Sequence, residues 1–325
     1  MMGTGPFAVP TFRALYHTRH TVLALVTAPL RTNRGKPVPP ISCIRDVASE
    51  HGTPILDPES VNLPEAQAQL TQLAADLFVV CDYGQILSAA TLNASRHGGV
   101  NLHASLLPKY RGAAPIQWAV LNGDTETAAT VIHMTPQLDA GPCVAQTKIA
   151  IGPDDTAVDL ETRLADLGAQ LVAETIEAIE AGTVQPLPQD PGMASKAPRL
   201  KKTDGLIDWT RPAIAIKNHI RAMTPWPASY TFWHRAGGTP TRLILGPAAV
   251  VPCPNVSSSN VPGVKNAVPG TVIEAAGHRL VIATGENALA PTSIQPAGKR
   301  AMPIDEFLRG YAVRPGDRFG PETEG

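Results

Sequence analysis

No apolar run in this chain approaches the roughly 20 residues that cross a bilayer as a helix. The start, Met1-Met2-Gly3-Thr4, has neither the basic stretch nor the apolar core of a signal peptide. A cytoplasmic protein with no membrane partner is expected. Cysteine is scarce as well: Cys43, Cys81, Cys143 and Cys253 stand apart, with no Cys-x-x-Cys pair and no histidine at ligand spacing. That pattern speaks against a disulfide framework and a zinc site, so no metal is expected and the thiols read as small apolar groups. What is present is enough for a sizeable core, 43 % hydrophobic residues in a chain of 325, a length that suggests two domains.

The formal net charge of −1 hides a division. Residues 1–198 carry 12 Lys and Arg against 19 Asp and Glu, whereas residues 199–325 carry 15 against 9. A basic half points to a polyanion such as nucleic acid, or more blandly to a solvated face.

The first half alternates strand-like and helix-like segments, the pattern of an α/β domain with a parallel sheet. Val22–Val26 and Leu77–Cys81 are short apolar runs of the kind buried on both faces of a sheet. Helices are expected over 9–16, 42–51, 64–75, 114–122 and 156–181, with a further strand over 129–134. The last helix shows a capping pair, Thr156 with Asp159, and an apolar stripe from Leu160 to Ile179. Residues 185–204 read as a linker. Beyond it come one helix over 212–223 and short β-like runs such as Ser229–Trp233, Thr241–Leu245, Thr271–Ile273 and Leu280–Ile282, which suggest a small barrel or sandwich. The Ser-rich stretch 247–269 reads as a mobile surface insertion.

Gly3-Thr4-Gly5-Pro6-Phe7-Ala8 fits the G-x-G-x-x-A form of a dinucleotide fingerprint. Only Met1-Met2 stands before it as a strand, and no acid lies near Thr21–Thr27 to hold a ribose, so the glycines read as a tight turn into the first helix. The shortness of that first strand creates the expectation that translation starts upstream of Met1.

If the segment entering Asn101-Leu102-His103 is a strand, its period of two sets Asn101 and His103 on one face, where an amide donor and an imidazole reach one site. Leu138-Asp139-Ala140-Gly141 adds a carboxylate. Taken singly, His103 is an ordinary core or surface histidine, Asn101 the end of a strand, and Asp139 a turn residue. Together they suit chemistry on a carbonyl, in which an oxyanion needs a donor and an attacking nitrogen must lose a proton.

Asn101-Leu102-His103-Ala104-Ser105-Leu106-Leu107-Pro108-Lys109-Tyr110-Arg111-Gly112-Ala113-Ala114-Pro115-Ile116 resembles the folate-dependent formyltransferases. The likeness extends through Leu138–Gly141, Arg34-Gly35-Lys36, Ala222–Pro227 and Gln295–Arg300, and so across essentially the whole chain. The Arg34 loop and the C-terminal segments resemble the branch whose acceptor is methionyl initiator tRNA. The resemblance implies a Rossmann-like formyltransferase domain over 1–184, a linker over 185–204 and an OB-like, tRNA-binding barrel over 205–319. It implies 10-formyltetrahydrofolate as cosubstrate, initiator methionyl-tRNA as partner, and a monomer.

By the same resemblance, Asn101 donates to the oxyanion, His103 stabilises it or shuttles the proton, and Asp139 holds and tunes the imidazole. Ser105, Leu106, Leu107 and Pro108 are implicated in folate binding, with Tyr83, Gly84, Ile86 and Leu87 lining the pterin pocket. The loop Pro29–Pro37 carries Arg31, Arg34 and Lys36 and no acid; Arg34 and Lys36 are expected to contact tRNA, together with Lys201, Lys202, Lys299 and Arg300. The alternatives are a formyltransferase acting on an amino-sugar nucleotide, or a noncatalytic RNA-binding protein, which would have no use for Asn101, His103 and Asp139 together.

Overall fold

The computed structural model describes residues 1–30, 32–33, 36–37, 43–235, 238–252 and 267–323, the side chains of 32, 33, 36 and 37 excepted. Arg34 and the side chain of Lys36 therefore lie outside the described residues. Two compact units emerge, one of residues 1–119, 125–152 and 159–199, the other of residues 120–124, 153–158 and 200–325.

The first unit is built on one twisted sheet. In chain order its elements are α1 (Ala8–Leu15), β1 (Leu25–Val26), α2 (Cys43–Glu50), β2 (Ile55–Leu56), α3 (Pro64–Gln72), β3 (Phe78–Cys81), α4 (Ala89–Leu92), β4 (Gly99–His103), α5 (Pro115–Leu121), β5 (Glu126–His133), β6 (Cys143–Ala150) and α6 (Ala157–Glu180). Parallel pairing joins β2 to β1 and β3 to β4, and Met2 bridges Val26 on one side and Val80 on the other. Antiparallel β5 and β6 extend the sheet beyond β4. All four residues of β3 are buried, as a strand covered on both faces requires. Met2, Val26, Leu70, Phe78, Val80, Leu87 and Leu92 form one core on this sheet. Thr32–Asn33 and Lys36–Pro37 pair with each other antiparallel.

Strand β6 has no counterpart in the sequence reading. Its first three residues are half-buried and the other five alternate with exposure, and none is fully buried, so it presents no long apolar run to detect. The stretch read as a linker also differs. Leu187 bridges Cys143, and Lys196–Ala197 pairs in parallel with Arg111–Gly112, so the first unit continues to Arg199. Polar composition hid this segment because it is held by backbone pairing rather than by buried side chains.

The second unit is a small barrel. It comprises α7 (Ala213–Ala222), β7 (Tyr230–His234), β8 (Thr241–Leu245), β9 (Ala248–Val251), β10 (Val272–Ala276), β11 (Arg279–Ala283), β12 (Ala288–Pro291), β13 (Ser293–Pro296), β14 (Met302–Pro303), α8 (Ile304–Gly310) and β15 (Arg318–Gly320). One antiparallel sheet runs β14-β13-β8-β7-β15 and the other β9-β12-β11-β10. Thr271 pairs with Arg318 to join them at one edge, and at the other edge β8 runs on into β9 and β12 into β13. Trp209, Ile216, Ile220, Trp233, Leu243, Ile282, Leu289, Phe307 and Phe319 fill the interior. The expected insertion over 247–269 begins instead with β9, a regular sheet strand; residues 253–266 of it lie outside the described residues.

Candidate active site

Asn101 and His103 at the end of β4 both line a cleft of about 420 Å³ in the first unit. His103 is 6 % exposed, and its Nε2 lies 2.9 Å from the Tyr110 carbonyl oxygen. A carbonyl only accepts, so Nε2 carries the hydrogen, and in the neutral ring Nδ1 is the bare nitrogen. Asp139 Oδ2 stands 3.7 Å from Nδ1, beyond hydrogen-bond range; the same oxygen accepts the Gly112 N–H at 2.9 Å. The Tyr110 carbonyl thus orients the ring, and the Asp139 carboxylate stands beside it without a direct hydrogen bond. The Asn101 carboxamide makes no side-chain hydrogen bond to protein among the described residues, which leaves its donor to the cleft.

The Asp139 loop is itself held from behind. Gly141 sits so close to the His133 carbonyl that a Cβ would come within 1.7 Å of the oxygen, a distance no side chain tolerates. Gln189 donates from Nε2 to the carbonyls of Asp139 and Gly141 at 2.8 and 2.7 Å, and its Oε1 accepts from Arg111. Ser195 Oγ accepts the Tyr110 N–H at 2.9 Å. Gln189 and Ser195 thereby position His103 and Asp139, and sequence reasoning missed both because they lie in the stretch read as a linker.

Tyr83, Gly84, Ile86 and Leu87 form part of the cleft wall. Tyr83 and Leu87 also belong to the core beneath it, while Ile86 is exposed. Ser105, Leu106, Leu107 and Pro108 are not brought to this wall. The Ser105 hydroxyl donates to the Lys109 carbonyl at 2.7 Å, and the Ser105 carbonyl accepts from Thr130, so these residues shape the loop that carries Tyr110 under His103. Lys201, Lys202, Lys299 and Arg300 are exposed on the second unit; Arg300 is paired with Glu306, which spends part of its charge.

Two cleft residues have no signal in the sequence, Asp82 and Glu161. Asp82 opens to the cleft, but its carboxyl packs so tightly on the turn at Gly5 that a Cβ there would lie 1.7 Å from Oδ2. The second glycine of the G-x-G pattern is therefore filled by this protein's own carboxyl, and a dinucleotide's pyrophosphate would meet two acids. Burial, followed by the charge of Glu161, pushes Asp82 up to about 6; burial also raises Glu161. Because the folded value lies above the unfolded 3.8, Asp82 favours the fold below that pH, and the advantage is lost as pH rises toward about 6. Asp82→Asn should therefore stabilise the protein at pH 8 but not at pH 3.5. The gain is on the order of 1 kcal/mol after allowing for solvent in the cleft, and thermal unfolding at the two pH values reads it.

The cleft is of a size to hold a small ligand. Its volume lies within the range of small-ligand sites, and its wall mixes Leu102, Ile116, Ile132 and Met134 with Gln85, Asn101 and Thr135. The Tyr83 hydroxyl is buried with no hydrogen-bond partner, an atom that a polar ligand group or a water would satisfy.

Comparison with known proteins follows the same lines. The family described as formyl transferase matches residues 2–176, and the formyl transferase C-terminal domain matches residues 199–312. A methionyl-tRNA formyltransferase of Geobacter sulfurreducens is 39 % identical over 321 residues, 98 % of this chain and 95 % of the relative. That of Rhodopirellula baltica is 40 % identical over 329 residues, again 98 % and 95 %. Among solved structures, the fold is similar to an N-formyltransferase from Helicobacter canadensis in complex with folinic acid and dTDP-3-aminofucose. That likeness has a TM-score of 0.61 at 17 % identity and covers 89 % of this chain and 97 % of the other.

Proposed function

The chain belongs to the formyl transferase family, to its methionyl-tRNA formyltransferases, and we propose how its cleft moves a formyl group onto the α-amino group of methionyl initiator tRNA. The enzyme formylates methionyl-tRNA for the initiation of protein synthesis, and its cosubstrate is a folate. The finer reading is that the donor is 10-formyltetrahydrofolate, with its ring against Tyr83–Leu87 and its formyl carbon beside Asn101 and His103.

The neutral amine attacks the formyl carbon, forming the new N–C bond and placing negative charge on the former carbonyl oxygen. Asn101 donates its amide N–H to that oxygen. His103 takes the proton from the attacking nitrogen at Nδ1 and passes it to folate N10 as the C–N10 bond breaks, so atoms and charge balance. The observation that carries these roles is the Nε2 hydrogen bond to Tyr110, which reserves Nδ1 for exchange. Asp139, 3.7 Å away, stabilises the imidazolium formed in between. Asp82 and Glu161 give the cleft an acidic wall suited to an amine acceptor.

No described helix is long and apolar enough to cross a membrane, and the reading is a cytoplasmic enzyme working on RNA. Offered 10-formyl- and 5-formyltetrahydrofolate in turn, the purified chain should transfer formyl from the first alone; transfer from the 5-formyl isomer would overturn the donor assignment.

A further inference from the structure

The transfer described above starts from a neutral amine, yet an α-amino group keeps its proton up to about pH 7.7–8.0. A group in the cleft that took this first proton would leave His103 free for the second. Asp82 and Glu161 are placed for it. Asp82 directly follows β3, whose Val80 and Cys81 lie opposite Asn101 and Leu102 of β4. It therefore stands at the strand end beside His103, on strands spaced about 4.8 Å apart. Glu161 reaches the same cleft from α6. Asp82 is open to the cleft, and Glu161 is half-buried in its wall.

Neither carboxyl meets a cation or a hydrogen-bond donor among the described residues. The other titratable groups on the cleft are Tyr83, His103, Asp139 and Arg199; Arg199 is exposed and neutralises neither acid. Two acids set together without a counter-charge repel, and either a cation or a single proton relieves them. The ammonium of an aminoacyl ester supplies first the one and then the other. We propose that Asp82 and Glu161 hold the α-ammonium group of the acceptor and take from it the proton that frees its lone pair for attack. The step balances: an N–H bond of the ammonium breaks, an O–H bond forms on the Asp82 carboxylate, and the neutral amine goes on to the formyl carbon. The carboxyl then returns its proton to solvent through the open side of the cleft. An aspartate at the ordinary 3.8 is a weak base for this task, whereas Asp82 at about 6 lies closer to the amine's own value. The proposal rests on the acceptor being an amine that reacts in this cleft.

The pH profile of kcat/KM for methionyl-tRNA in the full-length chain tests it. Asp82→Asn depends on amine that is already neutral, a minor fraction at pH 6.5, and should fall about 10-fold below wild type there yet come within about twofold at pH 8. Glu161→Gln should lose in the same direction by less, because Asp82 without that neighbour is a weaker base; this keeps the test decisive if Asp82→Asn fails to fold. KM for folate should move in neither. A loss of equal size at both pH values, or no loss at either, would overturn the proposal. Binding at pH 6.5 supplies a second reading. Initiator tRNA esterified with the α-hydroxy analogue of methionine has no ammonium, and should bind wild type about 10-fold more weakly than methionyl-tRNA does, with no such difference in Asp82→Asn. Equal binding of the two by wild type would also overturn the proposal. A wild-type chain that makes this distinction yet transfers no formyl group would sink the enzymatic reading and leave the ammonium site standing.

Discussion

Replacing His103 with alanine should lower turnover in formyl transfer by about 10²- to 10⁴-fold, the span of a lost acid–base group. The imidazole is 6 % exposed, and its Nε2–H is committed to the Tyr110 carbonyl at 2.9 Å, which leaves Nδ1 as the nitrogen that exchanges a proton. Alanine removes that path and also takes one donor from the Tyr110 carbonyl, at a stability cost of about 1–3 kcal/mol. Thermal unfolding should therefore be recorded beside the rate. Folate affinity should change little, because the ring is expected against the wall at Tyr83–Leu87. A His103→Ala enzyme that is folded and turns over within tenfold of wild type would remove His103 from the chemistry.

Asn101→Ala should cost about 10²- to 10³-fold in kcat with KM for folate nearly unchanged, the signature of a donor used chiefly in the transition state. Its carboxamide has no protein partner to lose among the described residues, so truncation leaves little unsatisfied and the fold should hold. Asn101→Asp keeps the shape and sets a negative charge against the oxyanion, and should be at least as slow. If Asn101→Ala mainly raised KM for folate, the residue would be a ground-state contact instead.

Much of the first unit follows from simple periodicity. The apolar run at Phe78–Cys81 is a wholly buried strand, and the period of β4 carries Asn101 and His103 to one wall. Helix α6 spans Ala157–Glu180 against an expected 156–181, since its caps and stripe agree. Features made by pairing rather than by burial were not legible. Strand β6 has no fully buried residue, β9 precedes a Ser-rich stretch, and 187–199 is polar backbone laid against Arg111 and Cys143. Several site residues hide there for the same reason. Gln189 looks like any linker glutamine until the fold aims it at the Asp139 and Gly141 carbonyls. Asp82 looks like a turn residue until its carboxyl is found against Gly5. The Tyr110 carbonyl, which orients the imidazole, is a backbone group that no side-chain pattern announces.

The most direct test of the account is acceptor choice by the purified wild-type chain. Formyl-labelled folate would be supplied with methionyl initiator tRNA, free methionine or an amino-sugar nucleotide. Label should move onto methionyl-tRNA at least about 100-fold faster than onto free methionine, because binding energy from the distant RNA is spent at the reacting amine, and not onto the sugar. Absence of label on methionyl-tRNA, or equal labelling of free methionine, would contradict it.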